Sequence, residues 1–129
     1  MYTEGILQHY AKTSCDSGLE IFISRTIIDF GIPPSVRGYQ YLREALLMLA
    51  KDSNNLLGVS KIMYPEIARK YNTTPQRVER AIRHATEISW QGLGINKLKS
   101  FFPNRFEIPS NRDFLDFMHR WICSATRKP

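Results

Sequence analysis

The chain has 129 residues, 43% of them hydrophobic, with 18 Lys plus Arg against 12 Asp plus Glu and a formal charge of +6. That length suits one domain whose core needs no disulfide or metal staples, and the apolar content argues against wholesale disorder. No apolar run approaches the length of a membrane helix, and the N-terminus lacks the charged-then-apolar order of a signal peptide. A cytoplasmic protein with no membrane partner is therefore expected, and the basic balance points towards polyanions.

Residues 1–18 are polar and irregular and read as an arm or the remnant of a linker. From Leu19 the pattern turns helical: Leu19, Phe22, Ile23, Thr26, Ile27 and Phe30 recur at three- and four-residue spacing. Gly31 stops that helix, and "GIPPS" is a turn. A second helix is predicted over about Gly38 to Asp52, with Tyr39, Leu42, Ala45, Leu46 and Leu49 on its apolar face and Arg43 and Glu44 largely away from it. "KDSNNLLG" breaks the pattern, and a short helical turn covers Val59 to Met63. Pro65 suits the first turn of a two-turn helix, "PEIARKY", whose buried side carries Ile67, Ala68 and Tyr71.

After "NTT", Pro75 opens a long helix to about Gln91, with Thr73 or Thr74 as its cap and Gly92 and Gly94 ending it. "FFPNRFEIP" is too broken by proline for a long helix. Ser110 and Asp113 have capping-box-like spacing before a last amphipathic helix to Ala125, and residues 126–129 form a basic tail. The prediction is an all-α, winged-helix-like domain over 19–125, of about six helices with a helix-turn-helix and no evident strand.

The long helix carries the functional argument. On a helical wheel Val78, Ile82, Ala85 and Ser89 share a narrow arc, with Ala81 and Ile88 beside them; Gln76, Arg80, Arg83 and Glu87 lie opposite, flanked by Arg77 and Glu79. Alanine at 81 and 85 lets the helix sit close to a neighbour while its far face projects outward. A recognition helix needs such a division, because its N-terminal side chains must reach base edges in the major groove. Arginine bonds guanine O6 and N7 bidentately, glutamate accepts from cytosine N4, and the helix start favours a phosphate. From Ser60 to His84 there are six Lys or Arg and two acids, so most of the net charge lies in a fifth of the chain. The competing reading is a solvated helix laced by pairs such as Glu79 with Arg83, or Glu87 with Arg83 or Arg80.

Other classes are weaker. Cys15, Cys123, His9, His84 and His119 form no catalytic pattern, and there is no glycine-rich phosphate loop or metal spacing. The chain is read as no enzyme, with no cofactor and no small-molecule substrate. Cys15 and Cys123 are read as free thiols. Phe114, Phe117, Met118 and Trp121 would be the surface of a protein-interaction module that modulates a full-length regulator without binding DNA, although core is the simpler reading. RNA suits a groove-reading helix less well than B-form DNA.

Three stretches resemble a known family. "YPEIARKYNTTPQRVERAIRHATEISW" closely resembles the DNA-binding core of stage 0 sporulation protein A, the response regulator of endospore formation. "GIPPSVRGYQYLREAL" resembles its earlier helices, and "NRDFLDFM" more weakly its last. The resemblance covers roughly residues 19–125 and is dense over 31–90. It implies a six-helix effector domain that reads short promoter boxes on double-stranded DNA, with self-association on tandem sites and RNA polymerase as a further partner. Carried over by position, Arg77 and Glu79 are base readers, and Arg80 a base or phosphate contact. Arg83 and His84 are backbone contacts; Thr73, Thr74 and Gln76 add phosphate bonds at the helix start, and Lys61 is a further backbone contact. The family's receiver domain is absent from these residues, so an excised effector domain or a standalone protein without phosphorylation control is expected, and Met1 leans towards the second. "QGLG" after Trp90 stands where the family has a basic "SRG", and "SFFPNRFEIPS" is unlike the family's segment.

Overall fold

The computed structural model describes residues 17–92 and 108–126. Five α-helices follow one another: α1 Ser17–Asp29, α2 Arg37–Lys51, α3 Tyr64–Lys70, α4 Pro75–Gln91 and α5 Asn111–Thr126. No strand occurs among the described residues, so the domain is all-α there. The sixth helical unit expected at Val59–Met63 is a π-helical turn that runs into α3, and a 3₁₀ turn, Ser53–Gly58, precedes it. The side chain of Asp52 starts that 3₁₀ turn by accepting from the Asn54 amide at 3.0 Å. Helix α1 begins two residues ahead of Leu19, and α5 extends through Thr126. The expectations for most of the N-terminal arm, Cys15, Gly94, the proline-broken stretch up to residue 107 and the last three residues lie outside the described residues.

The core follows the predicted faces. Ile23, Ile27 and Phe30 of the first segment, Leu42, Ala45, Leu46 and Leu49 of α2, and Phe114, Leu115 and Met118 of α5 are all fully or almost fully buried. Each of these side chains larger than Ala45 contributes about 1.5–3 kcal/mol on burial. Phe30 is the hub between the ends of the chain: it meets Phe114, Phe117 and Trp121 edge-on, with ring centroids 6.4, 5.8 and 5.6 Å away. Phe114 and Met118 are completely buried and Phe117 and Trp121 half-buried, packed against the core.

Two helix ends share one device. Gly31 has φ 86°, its amide donates to Ile28 O at 2.8 Å, and the Ile32 amide reaches back to Ile27 O at 3.3 Å. Asn72 has φ 55°, its amide donates to Arg69 O at 3.4 Å, and Thr73 N bonds Ala68 O at 2.9 Å. Both are Schellman closures, which satisfy the last carbonyls of a helix and turn the chain sharply. Asparagine tolerates the left-handed conformation better than most side chains. The α3–α4 turn is thus set by local hydrogen bonding, and Thr74, with extended φ −114° and ψ 153°, restarts the helix.

Helix α4 packs most extensively on α2. The reason is Gly38: a Cβ there would lie 2.4 Å from the Ala81 carbonyl oxygen and 2.7 Å from the Ala85 Cβ. The two small residues predicted to allow close approach do so against a third one on the partner helix.

Candidate nucleic-acid interface

The presented helix is built from its cap upward. The Thr74 hydroxyl oxygen accepts from the Arg77 amide at 3.2 Å, and Pro75 occupies the first turn, where its missing N–H leaves nothing unpaired. Thr74, not Thr73, is therefore the cap. The Thr73 hydroxyl is buried and has no hydrogen-bond partner. Val78, Ile82 and Ala85 are completely buried, as are Thr86 and Ser89. Thr86 satisfies its hydroxyl by donating to Ile82 O at 2.9 Å. Gln76, Arg77, Arg80, Arg83 and His84 are exposed, and Glu79 and Glu87 are half-buried. The wheel's two faces are the two faces of the folded helix.

The predicted site residues fall along two flanks of α4. On one flank a shallow groove is lined by Arg37, Arg77, Arg80, Ala81, Arg83 and His84. On the other, Lys61, Tyr64, Glu79 and Asn111 border a second groove, and Arg83 and Glu87 line both. Arg77 and Glu79, paired as base readers by position, therefore face different sides. Thr74, Gln76, Arg80, Arg83 and His84 form an exposed strip from the start of α4 onward, from which the buried Thr73 hydroxyl is left out.

Charge pairing is uneven along this strip. Arg83 pairs with Glu79 Oε2 at i, i+4 spacing, and His84 Nδ1 lies 3.9 Å from Glu87 Oε1. Of the pairs anticipated for Glu87, the arginines are replaced by His84. Among the described residues Arg37, Arg77 and Arg80 have no acidic partner. Unpaired arginines on an exposed face are available to an external anion.

Two supports hold the strip in place, and neither is visible in the sequence pattern. Asn111 Nδ2, at the start of α5, donates to both the Tyr64 hydroxyl and the Glu79 carbonyl, each at 3.0 Å, tying α3, α4 and α5 together at one point. Burial raises the Tyr64 phenol above its usual range, while the Asn111 bond works the other way. Glu44 of α2 accepts from Lys70 Nζ at 2.9 Å and from the Tyr71 hydroxyl at 3.1 Å, fixing the end of α3. The hydrogen bond that Lys70 donates to this carboxylate raises the pKa of its ammonium above the usual value. Arg37 also reaches the groove, with the start of α2 packed against Ala81 through Gly38. None of these placements has a periodic signal. The one local clue is that Glu44 lies off the apolar face beside Arg43, and periodicity treats it as solvated.

Among the described residues no group of three or more His, Cys, Asp or Glu could hold a metal ion. No helix there is long and apolar enough to cross a membrane. Cys123 is a free, half-buried thiol with its Sγ 3.7 Å from His119 Nε2.

A short helix closed by a left-handed residue, followed by a capped helix with a buried side and a basic side, defines a helix-turn-helix DNA-binding domain. The family described as sporulation initiation factor Spo0A C terminal matches residues 23–122, and the chain belongs to that family. That domain is the DNA-binding effector domain of a sporulation regulator and not a catalytic family, so this chain is a DNA-binding transcription regulator.

Proposed function

We propose that the chain is a sequence-specific regulator that lays α4, Pro75–Gln91, in the major groove and reads short promoter boxes. The observation that supports it most is the division of α4, with Val78, Ile82 and Ala85 fully buried and Gln76, Arg77, Arg80, Arg83 and His84 exposed on the other side. Arg77 and Arg80, without acidic partners, are the base-reading arginines, suited to guanine O6 and N7. Glu79 is the third reader. Its Oε2 is engaged by Arg83, which leaves Oε1 as an acceptor for a cytosine amino group and holds the carboxylate in one orientation.

Arg83, His84 and Lys61 are backbone anchors. The Thr74 oxygen accepts the Arg77 amide, and its hydroxyl proton is free to donate to a phosphate; Gln76 adds a second donor. The Thr73 hydroxyl points inward, so a phosphate contact from it requires a change of rotamer. Self-association on tandem boxes and contact with RNA polymerase belong to the same reading and rest on the family resemblance. A footprint on one box compared with two, at matched protein concentration, tests the first.

The experiment is selection of binding sites from random duplexes with the wild-type chain, followed by affinities on the selected and a scrambled duplex. Arg77→Ala and Glu79→Ala should each lose discrimination at one position, by about 1–3 kcal/mol. Arg83→Ala should weaken both duplexes equally, and wild-type binding should fall steeply with salt. Wild-type behaviour of both arginine variants, or a flat salt response, would sink the proposal.

A further inference from the structure

Arg37 has no place in the recognition-helix reading, yet it lines the same groove as Arg77, Arg80, Arg83 and His84. It is the first residue of α2, exposed, and without an acidic partner among the described residues. Its neighbour Gly38 packs closely on α4: an added Cβ there would lie 2.4 Å from the Ala81 carbonyl oxygen, so the start of α2 sits directly against the helix that carries Arg77 and Arg80. The groove gathers five basic side chains against one acid, Glu87, which is already beside His84. An unpartnered arginine sharing a groove with two more, Arg77 and Arg80, favours the binding of an anion there.

A helix in the major groove has a ridge of phosphates on either side. Lys61 lies on the Glu79 flank of α4, and Arg37 on the Arg77 flank. We propose that Arg37 is a DNA-backbone anchor: its guanidinium holds a phosphodiester of the strand along the Arg77 flank, so that α2 as well as the helix-turn-helix is part of the binding surface. This deepens the reading of α4 as the groove helix and rests on it. A contact of this kind carries no sequence information but fixes the register and tilt of α4.

The test uses the whole chain, the duplex selected by the wild type and a scrambled duplex of equal length, titrated over a range of salt. Arg37→Ala should weaken binding to both by the same factor, roughly fivefold to tenfold, and reduce the slope of log affinity against log salt by about one. Arg37→Lys should recover most of the loss. Single methylphosphonate substitutions along the selected duplex should include one position that weakens the wild type but leaves Arg37→Ala unchanged.

Wild-type affinity and slope in Arg37→Ala overturn the proposal, as does a loss confined to the selected duplex, which would make Arg37 a base reader. If Arg77→Ala also binds as wild type, the groove-helix reading has failed and the anchor with it. If Arg77→Ala loses discrimination while Arg37→Ala is silent, only the anchor has failed.

Discussion

Gly38→Ala is the sharpest test of how α4 is mounted. The added Cβ would lie 2.4 Å from the Ala81 carbonyl oxygen and 2.7 Å from the Ala85 Cβ, where ordinary carbon contacts are about 3.5 Å or more. The nearest obstacle is backbone, so no rotamer change relieves it, and α2 and α4 must part by roughly 1 Å. Overpacking of this kind costs about 1–3 kcal/mol, the upper half being expected where backbone must move. Alanine also gains about 1 kcal/mol over glycine in a helix. The net loss is then about 1–2 kcal/mol, or roughly 3–10 °C in Tm for a domain of this size.

Urea and thermal unfolding of Gly38→Ala, Ala85→Gly and the double variant measure the effect. The double variant should lose less than the sum of the two single variants, because removing the Ala85 methyl relieves the Cβ–Cβ clash, while the clash with the carbonyl persists. Because α4 moves relative to its supports, affinity for a selected duplex should fall more than affinity for a scrambled one. A Gly38→Ala chain more stable than wild type by the helix gain alone would refute the reasoning.

Three further outcomes are expected. Asn111→Ala removes both donors of the clamp and leaves the Glu79 carbonyl and Tyr64 hydroxyl short of a partner, so it should cost about 1–3 kcal/mol in urea unfolding; an unchanged midpoint would show that water replaces it freely. Asn72→Gly should keep wild-type stability, whereas Asn72→Val should lose about 1–2 kcal/mol because φ 55° is left-handed; equal midpoints for the two would count against the Schellman turn. Burial lowers the pKa of His119, Arg120 adds to this and Asp116 opposes it, so the fold favours the neutral ring. Stability from this group is present above the usual value of 6.5 and drains away as pH falls through it towards the lowered folded value. His119→Gln should flatten the stability profile over that window, and an unaltered profile would assign the acid sensitivity elsewhere.

What was legible in the sequence follows from range. Apolar spacing is a local signal, and it placed Val78, Ile82, Ala85 and Ser89 on the buried side of α4 and Arg80 and Arg83 on the open side, as found. It also isolated Ala81 and Ala85 as small, but not Gly38, their counterpart on α2. The choice between Thr73 and Thr74 as cap turns on a φ angle at Asn72 that composition does not encode. Glu44 and Asn111 meet their partners across 26 and 32 residues of chain, and Arg37 enters a groove lined by residues of a distant helix. Their polar side chains leave no mark in a hydrophobic pattern, so only the folded arrangement reveals them. Glu79 lay within reach of both readings, and the structure shows it paired with Arg83 while one carboxylate oxygen stays open.

The Schellman closure at Asn72 has a consequence for the order of assembly. Thr73 N to Ala68 O, and Thr74 to the Arg77 amide, are bonds between residues three to five apart. They direct α4 away from α3 before any distant partner has arrived, and contacts so close in sequence form fast. The clamps from Gly38, Glu44 and Asn111 need long loops to close first. Kinetic φ-values for folding should accordingly be high for Thr74→Ala and low for Asn111→Ala; the reverse ranking would contradict this order. On that order the two helices of the helix-turn-helix, a segment of 28 residues from Tyr64 to Gln91, take their relative direction early, and the rest of the domain closes around them.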